Sequence, residues 1–501
     1  MSFKVVSASI LGVDAHRVEV EVDLVRRLPR TTIVGVSSCV GREAAERVRS
    51  AIVSTGFEYP RKRVTINLAP ADLRKHGTGF DLPIAVAVLG AMGEVPTDLL
   101  HRYLFAGELG LDGALRPIRG ALPLAMKARN LGLAGIILPT VCAEQAAVVP
   151  DLDVWSASSL EAVVEMLRGG APLPRARTAP PIRVESTLDL ADLKGQAIAR
   201  RALEIAAAGG HNLLMVGPPG CGKTMLAARL PSILPALSYD EALDATRVHS
   251  AAGVLGPGAG LLETRPFRAP HHSVSTAGLL GGARLQPGEV SLAHHGVLFL
   301  DEVGEFPRNV LELLRAPLEC RQVVLARASG TVVLPASFTL VAAANPCPCG
   351  YLGHPTKPCR CTDAQVQRYQ ARLSGPLVER IDLHVQLQPV EVAELMDGGR
   401  AESSVSVRRR VEAARSRQVA RFEGTRFRCN AELDGPGARQ VASLTSAGER
   451  VLRETVETLG LSGRAHDRVL KVARTIADLD GVTKVDAMHL AEALALRVPH
   501  P

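Results

Sequence analysis

Aromatic residues and long apolar runs are both scarce in this sequence. Aromatic side chains make up 3% of its 501 residues, too few for base-stacking platforms to dominate binding to single-stranded nucleic acid. No segment offers the roughly 18–20 uninterrupted apolar residues that a membrane-spanning helix needs, and residues 1–20 contain no apolar run of signal-peptide length. We therefore expect a cytoplasmic protein with no membrane partner.

Internal repeats are also missing, and neither sign of charge dominates. No segment recurs at a period of about 20–50 residues, which argues against a repeat architecture. The net charge of +7 permits a nucleic-acid partner without establishing one. The hydrophobic share of 47% and the charged share of 22% are those of an ordinary globular protein, and the length suggests about three domains.

The amino-terminal part of the chain mixes short β-branched runs with helical patterns. Residues 1–168 include a predicted strand over Val18–Val25 and a predicted apolar helix over Pro83–Met92. Strands mixed with helices indicate an α/β domain. Residues 169–187 are rich in proline and lack apolar periodicity, which favours a linker.

A second α/β domain is predicted over 188–395 and a helical domain over 396–501. In the second domain, a helix over Ala197–Ala208 precedes a short apolar strand. In the third, the pattern is nearly all helical and ends with a predicted helix over Val485–Arg497, capped by Thr483.

The strongest functional motif follows the apolar strand Leu213–Val216 and precedes a helical stretch. It matches G-x-x-x-x-G-K-[ST] at every fixed position, and its residues are Gly217, Pro218, Pro219, Gly220, Cys221, Gly222, Lys223 and Thr224. The loop glycines let backbone N–H groups face phosphates, while Lys223 reaches the β- and γ-phosphates and Thr224 binds Mg²⁺. The motif therefore predicts a site for ATP and Mg²⁺.

Two further apolar strands end in polar residues. The first ends at Asp301 and Glu302, where Asp301 would orient Mg²⁺ and Glu302 would act as general base for the attacking water. The second, Thr339–Ala344, ends at Asn345. That residue either places the water near the γ-phosphate or is a turn residue before Pro346.

Five segments carry a resemblance to a known family: GGHNLLMVGPPGCGKTML, RPFRAPHHSVSTAGLLGG, HHGVLFLDEVGEF, AAANPCPCG and SGPLVERIDLHV. Together they resemble the YifB/ComM family of magnesium-chelatase-like AAA+ ATPases, over essentially the whole chain. The resemblance implies a P-loop AAA+ core with a helical lid. It also implies a hexameric ring, formed with nucleotide, that hydrolyses ATP at subunit interfaces.

The same resemblance implies roles for single residues. Asn345 matches the sensor-1 residue, and Arg380 matches the arginine finger that reaches the neighbouring subunit's nucleotide. Arg464 matches the sensor-2 arginine, with Arg468 as the competing candidate. A guanidinium at the γ-phosphate stabilises developing charge and can change the rate by about 10³–10⁵.

Four of the nine cysteines cluster in a loop, 347–361, as two C-x-C pairs: Cys347, Cys349, Cys359 and Cys361. Four thiolates suit a closed, structural Zn²⁺ site, and the resemblance supports zinc because family members carry the same cluster. His354 is an alternative ligand, and four reduced thiols are the alternative state. An odd cysteine total without a signal sequence argues against a disulfide framework.

The amino-terminal domain resembles the Lon-protease-like fold that precedes the ATPase in this family. Lon enzymes use a Ser–Lys dyad, but Asp81 stands at the nucleophile position and Leu122 at the lysine position. Neither side chain can perform that acyl-transfer chemistry. We therefore expect a structural or partner-binding module without peptidase activity.

A hairpin is predicted where Arg321–Ala328 and Thr331–Leu334 flank a Ser-Gly turn, with Arg327 beside the tip. The resemblance implies that this hairpin and an insert near Arg265–Gly282 point into a central pore.

Other basic groups have two open interpretations. The stretch Arg400–Arg428 holds nine arginines and three glutamates, which suits either a solvated lid helix or a phosphate-backbone contact. The pairs His271-His272 and His294-His295 receive no role, because no third metal ligand stands at a suitable spacing.

Taken together, the motifs and the resemblance predict a hexameric, ATP-hydrolysing motor. Its partner would be branched or single-stranded DNA, bound without sequence preference, in recombination or natural transformation. The alternative is a chelatase-type or protein-remodelling ATPase that acts on a partner protein. A regulatory nucleotide switch is disfavoured because both acids needed for hydrolysis, Asp301 and Glu302, are present.

Overall fold

The computed structural model describes residues 3–75, 77–183, 188–256, 258–283, 285–327, 330–372, 375–390, 401–459 and 461–497. Within these ranges, no helix is both long enough and apolar enough to cross a membrane.

A mixed sheet of seven strands forms the amino-terminal domain, in the order β3-β4-β2-β1-β5-β8-β9. Its strands, with the two-stranded ribbon of β6 and β7, are β1 (Phe3–Leu11), β2 (Asp14–Val25), β3 (Arg30–Val34), β4 (Arg63–Ala69), β5 (Tyr103–Phe105), β6 (Glu108–Leu109), β7 (Leu115–Arg116), β8 (Gly135–Pro139) and β9 (Asp153–Ala157). Val18, Val20 and Val22 of β2 are all buried. This period of two confirms the predicted strand over Val18–Val25.

Five helices cover this sheet: α1 (Ser38–Ser54), α2 (Asp81–Met92), α3 (Ala121–Asn130), α4 (Thr140–Ala146) and α5 (Leu160–Leu167). Residues 81–90 of α2 are all buried. A helix that is apolar on every side must be covered on every side. The predicted helix over Pro83–Met92 is therefore confirmed, with its start at Asp81.

The proline-rich stretch after α5 is held by backbone hydrogen bonds along its described part, 169–183. The Ser156 N–H donates to the Pro174 carbonyl oxygen at 2.9 Å, and the Ala176 N–H donates to the Val154 carbonyl oxygen at 2.8 Å. Further on, the Ile182 N–H donates to the Leu261 carbonyl oxygen at 2.8 Å. The stretch thus runs along both α/β domains.

The second domain is built on a parallel sheet of five strands, in the order β11-β12-β15-β10-β16. The strands of this domain, with the separate hairpin of β13 and β14, are β10 (Leu213–Val216), β11 (Phe267–Arg268), β12 (Val297–Leu300), β13 (Gln322–Arg327), β14 (Gly330–Pro335), β15 (Thr339–Ala344) and β16 (Leu383–Gln386). All four residues of β12 are buried, as expected for a strand covered on both faces.

The helices of this domain lie around the sheet: α6 (Ala197–Gly209), α7 (Lys223–Ile233), α8 (Tyr239–Ala252), α9 (Thr276–Leu280), α10 (Glu289–Leu292), α11 (Arg308–Glu312), α12 (Arg315–Cys320), α13 (Asp363–Gln370) and α14 (Gly375–Val378). Because every strand is parallel, the carboxyl ends of β10, β12 and β15 meet at one edge of the sheet. We call this the carboxyl edge, and the opposite one the amino edge.

The remaining helices form the lid: α15 (Ser404–Arg421), α16 (Gly435–Ala442), α17 (Ser446–Leu459), α18 (Gly463–Leu479) and α19 (Ala487–Ala495). The lid shares one hydrophobic core with α6 and α7. The predicted Thr483 cap is wrong, because α19 begins after Asp486. The Thr483 carbonyl oxygen instead accepts a hydrogen bond from Arg474.

The amino-terminal domain packs on α8. Arg247 of α8 pairs with Asp14 at 2.6 Å, and the Tyr239 hydroxyl donates to the Val148 carbonyl oxygen at 2.9 Å. Leu243 lies in a hydrophobic cluster of the amino-terminal domain, and Val13 lies in a cluster of the second domain. The two domains therefore share apolar side chains across their contact.

Candidate nucleotide site

The P-loop connects β10 to α7 at the carboxyl edge. Gly220 and Gly222 have φ of +81° and +94°, in the left-handed region that glycine adopts most easily. Gly222 immediately precedes α7. The loop thus delivers its backbone to the amino end of a helix, where N–H groups favour phosphate.

Lys223 lies where the P-loop meets the neighbouring strand. Its ammonium donates to the carbonyl oxygens of Gly217 at 2.6 Å and Pro218 at 2.9 Å. It also donates to the Asn345 Oδ1 at 3.2 Å. Residues far apart in sequence therefore meet at the position that the two motifs predict for the γ-phosphate.

The two residues predicted to bind Mg²⁺ are in direct contact. The Thr224 hydroxyl donates to the Asp301 Oδ2 at 2.7 Å. Adjacent ligands of an octahedral Mg²⁺, each at about 2.0–2.1 Å, are about 3 Å apart. The oxygen pair fits such an ion, which would neutralise charge on the ATP phosphates.

Glu302 follows Asp301 in a strained conformation. Its φ is +49°, which costs a residue with a side chain about 1–3 kcal/mol and is most frequent at functional sites. The Glu302 N–H donates to the Asp301 Oδ1 at 3.0 Å, which holds the turn. Both carboxylates line one cavity with Thr224, so the site can bind a phosphate-bound cation and activate water.

The four clustered cysteines converge. The Sγ atoms of Cys347, Cys349 and Cys359 lie 3.4–3.6 Å apart, and the Cys361 Sγ lies within 4.8 Å of the others. Four sulfurs at about 2.3 Å from a tetrahedral Zn²⁺ would be about 3.8 Å apart. The cluster therefore fits zinc, which would cross-link the loop.

Two details bear on the ligands of this cluster. Backbone N–H groups of Arg360 and Tyr351 lower the pKa of Cys349, whereas desolvation and the neighbouring thiols raise the pKa of Cys359 and of Cys361. Of these three, Cys349 forms the thiolate most readily. The His354 Nδ1 accepts from the N–H groups of Thr356 and Lys357, at 3.1 Å each. His354 stands outside the sulfur cluster, so the structure favours four cysteines as ligands.

The cysteine loop, residues 347–361, also packs against the P-loop. It begins two residues after Asn345, and Gly350 within it has a φ of +81°. A Cβ on Gly350 would lie 2.6 Å from the Pro219 Cδ. The cysteine cluster and the nucleotide site are therefore one packed unit.

Profiles of known families match most of the chain. The family described as "Magnesium chelatase, subunit ChlI" matches residues 189–395, which hold the P-loop, Asp301, Asn345 and the cysteine loop. "Subunit ChlI of Mg-chelatase" matches 20–141, and the C-terminal part of the same subunit matches 401–497.

Several full-length relatives are similar to this chain. An uncharacterized Escherichia coli protein, YifB, is 43% identical over 503 residues, covering 99% of this chain and 97% of its own. The competence protein ComM of Haemophilus influenzae is 42% identical over 515 residues, covering 99% and 98%. The chain belongs to the YifB/ComM family. An uncharacterized protein of Mycobacterium tuberculosis is also 42% identical, over 495 residues, covering 98% of this chain and 97% of its own. The matches support an AAA+ ATPase of the magnesium-chelatase type.

The arginines predicted from the YifB/ComM resemblance lie at the other end of the sheet. Arg380 pairs with Glu319 at 2.6 Å, and Arg468 pairs with Asp382 at 3.4 Å. Arg380 precedes β16 in the sequence, and Arg468 contacts Asp382 at the start of this strand. Both arginines therefore lie at the amino edge. Asn212, which bonds the Arg380 carbonyl oxygen, is five residues before Gly217, so about 16 Å separates the two edges.

Arg464 lies one helical turn before Arg468 and is exposed. The structure therefore brings Lys223, Asp301, Glu302 and Asn345 together, and it places the three arginines elsewhere.

A cationic cavity of about 580 Å³ lies at this amino edge, between the second domain and the lid. It is lined by eight cationic and five acidic side chains: Arg265, Arg321, Arg380, Arg415, Arg426, Arg428, Arg468, Lys471, Glu241, Glu319, Asp382, Glu432 and Asp434. The Arg468 Nη1 is buried without a hydrogen-bond partner. Burial lowers the pKa of Lys471. The surplus of cationic over acidic side chains in the lining favours an anionic occupant.

The structure supplies the third partner that the sequence did not show for His294 and His295. Asp244 of α8 lies within 4.8 Å of both imidazoles. Arg247 already pairs with Asp244 at 3.2 Å, and the Arg428 Nη1 lies 3.4 Å from the His295 Nε2. These two cations oppose a bound metal, so the group is better described as a hydrogen-bonded network.

Burial lowers the pKa of His294 to about 3. Its Nδ1 accepts the Ser337 N–H at 3.0 Å. The ring is therefore neutral near pH 7 and fixes the loop before β15.

In the amino-terminal domain, neither Asp81 nor Leu122 is available for chemistry. Asp81 is fully buried and accepts two hydrogen bonds from Arg47, at 2.8 and 3.1 Å. Burial nevertheless raises the pKa of Asp81. Leu122 lies in the core. The ion pair with Arg47 thus gives Asp81 a structural role.

Most arginines of the stretch Arg400–Arg428 have partners within the chain. Carboxylates or carbonyl oxygens bind Arg408, Arg410, Arg415, Arg417, Arg421 and Arg426. Among the described residues of the stretch, these contacts favour the structural interpretation over a row of phosphate-binding side chains.

Proposed function

We propose that this chain is a ring-forming, ATP-driven motor that moves DNA, with branch migration or unwinding as its task in recombination or natural transformation. The observation that carries the proposal is the separation between the P-loop and Arg380. Arg380 contacts Asn212 at the amino edge, about 16 Å along β10 from the P-loop, which supports a role at a neighbour's nucleotide rather than at its own. A ring of identical subunits repeats that head-to-tail contact.

The cationic cavity supports the same arrangement. It contains Arg380 and Arg468 with a surplus of positive charge, and the triphosphate of a neighbouring subunit would neutralise that surplus. In this assignment Arg468, rather than the exposed Arg464, contributes the second guanidinium.

Contact with DNA is assigned to the β13–β14 hairpin. Val324 and Val333 on it are 63% and 49% exposed, and Arg327 and Thr331 near its tip are exposed. Such a tip can touch phosphates without reading bases, so binding would weaken with salt. The Haemophilus influenzae relative is named a competence protein, which is consistent with DNA as partner.

The test combines turnover with mixing of variants. ATPase is measured with and without forked DNA, beside three-strand branch migration, for the wild type, Lys223→Ala, Arg380→Ala and the exposed-lysine control Lys484→Ala. Lys223→Ala and Arg380→Ala should each be inactive alone, and Lys484→Ala should match the wild type. An equal mixture should regain turnover, because about a quarter of random interfaces in a ring pair an intact P-loop with an intact finger.

Two results decide against parts of this function. If the mixture stays inactive, Arg380 does not act as an arginine finger between subunits. Wild-type protein that hydrolyses ATP in rings, yet neither binds forked DNA with nucleotide nor responds to it, removes DNA as the partner.

A chelatase-type or protein-remodelling ATPase is the second candidate, because all three family matches are to a magnesium chelatase subunit. In that case a partner protein, bound by the amino-terminal domain, would stimulate turnover. We infer that this domain keeps a Lon-like fold as a binding module, since Asp81 and Leu122 exclude the peptidase dyad.

A further inference from the structure

The segment that follows β11 leaves the sheet beside Asp301. β11 pairs in parallel with β12, with Phe267 opposite Val297 and Arg268 opposite Leu298. The chain after Arg268 therefore emerges at the carboxyl edge, where β12 delivers its two acids. This segment contains His271 and His272, to which the motor function gives no role.

One cavity of about 350 Å³ joins this histidine pair to the Mg²⁺ and water site. Its walls are Thr224, Ala228, Phe267, Ala269, Pro270, His271, His272, Phe299, Asp301 and Glu302. The two acids and the Thr224 hydroxyl thus share one cavity with two imidazoles. The γ-phosphate of ATP carries several negative oxygens, and the imidazole N–H groups of this histidine pair can donate hydrogen bonds to them.

Local hydrogen bonds define which nitrogen of His271 carries the donor proton. The Ser273 N–H donates to the His271 Nδ1 at 3.3 Å, and the Ser273 hydroxyl lies 2.8 Å from the same atom. A neutral imidazole whose Nδ1 accepts carries its proton on Nε2. His271 therefore presents an Nε2–H donor.

His272 holds that donor in place by packing. Its ring lies 4.0 Å from the His271 ring, centre to centre, and 6.4 Å from the Phe306 ring, edge to face. The segment is anchored at its start, where Arg268 binds Glu289 through two hydrogen bonds of 2.6 and 2.8 Å. It is anchored at its end by a turn in which the Val274 N–H donates to the His271 carbonyl oxygen at 2.9 Å.

We propose that His271 is a further catalytic residue, whose Nε2–H donates to a γ-phosphate oxygen of bound ATP, and that His272 is its positioning residue. The proposal rests on ATP hydrolysis by this chain. In the transition state, charge spreads over the γ-phosphate oxygens. A preorganised donor in the cavity that also contains Asp301 and Glu302 stabilises that charge, as donors of an oxyanion hole do.

The experiment compares His271→Ala, His271→Gln, His272→Ala and His272→Phe with wild type and with a control, His101→Ala, on an exposed histidine of the amino-terminal domain. Steady-state kinetics with ATP give kcat and KM. Calorimetric titration gives affinities for ADP and for a non-hydrolysable ATP analogue.

His271→Ala should lower kcat by about 10²-fold, the size of effect of one lost oxyanion donor. It should weaken the ATP analogue while leaving ADP binding unchanged, because ADP lacks the γ-phosphate. The glutamine variant restores an N–H donor and should recover part of kcat. His272→Phe keeps a stacked ring beside His271, so its kcat should be higher than that of His272→Ala.

Unchanged kcat in His271→Ala, beside active wild type, overturns the catalytic assignment and leaves the ATPase intact. Equal weakening of ADP and of the ATP analogue overturns it too, because that result indicates a structural role. If the wild type itself fails to hydrolyse ATP, the ATPase assignment fails first. The two affinities then still decide whether His271 contacts the γ-phosphate.

Discussion

Replacing Gly350 with alanine tests the packing of the cysteine loop against the P-loop. Gly350 is buried with a φ of +81°, and a Cβ there would lie 2.6 Å from the Cδ and 2.8 Å from the Cγ of Pro219. Carbon atoms normally approach to about 3.5–4.0 Å. The substitution must therefore displace either Pro219 or the loop.

Gly353 offers a matched control within the same loop. Its φ is +75°, and a Cβ there would meet nothing within 4 Å. Both alanine variants suffer the left-handed backbone penalty of about 1–2 kcal/mol. Only Gly350→Ala adds the overpacking penalty, which is about 1–3 kcal/mol. We expect Gly350→Ala to be the less stable variant by that second amount.

The assay pairs chemical denaturation with titration of a non-hydrolysable ATP analogue, on protein of measured zinc content. Displacement of Pro219 disturbs the backbone that faces the phosphates, so Gly350→Ala should also bind the analogue about tenfold more weakly, equivalent to about 1.4 kcal/mol. Gly353→Ala should bind it like wild type. If the two variants match in stability and affinity, the loop and the P-loop are not mechanically coupled.

Three further predictions concern buried charge and the cysteines. His294 has a pKa of about 3 in the folded state and about 6.5 in the unfolded state. The free energy of unfolding should therefore be highest above pH 6.5 and about 2 kcal/mol lower at pH 5, because the unfolded state binds more protons. His294→Asn should remove that share of the pH dependence, measured by thermal melts. Asp478 is fully buried and binds Arg474 at 3.0 Å, so Asp478→Asn should cost about 3–5 kcal/mol in denaturant unfolding. Freshly purified protein should hold one zinc per chain, and Cys359→Ser should lose it.

Each of these has a contradicting outcome. An unaltered pH profile in His294→Asn would mean that the pKa of His294 is the same in the folded and unfolded states. A loss under about 1 kcal/mol in Asp478→Asn would mean that the arginines around it find other partners. Metal analysis that gives far less than one zinc per chain would leave four free thiols.

The sequence was most informative where function depends on the ends of neighbouring strands. The P-loop follows the short apolar strand β10, and Asp301 and Asn345 directly follow β12 and β15. A parallel sheet brings such strand ends together whatever the connecting chain does. Hence Lys223, Thr224, Asp301 and Asn345 were predictable as one group. The convergence of the C-x-C pairs was predictable for a different reason, since all four cysteines lie within one short loop.

Contacts between distant segments left no comparable signal. Asp244 comes to His294 and His295 from a helix 50 residues earlier, and no spacing rule links it to them. The positive charge of Arg400–Arg428 is a property of composition, whereas its partners, such as Asp478 for Arg421, are set by the packing of α15 on α18. Thr483 is a residue type that often caps helices, but α19 begins after Asp486, and the sequence pattern alone did not distinguish the two positions.

The shared side chains between the amino-terminal domain and α8 limit how this chain can be rearranged. Val13 is buried by the second domain and Leu243 by the first, so each half exposes apolar surface when separated from the other. A cut within 169–187 should leave two fragments that stay associated. A chimaera that exchanges amino-terminal domains between relatives would have to exchange the β1–β2 turn and α8 as a pair, which makes this contact, rather than the linker, the true boundary for domain exchange.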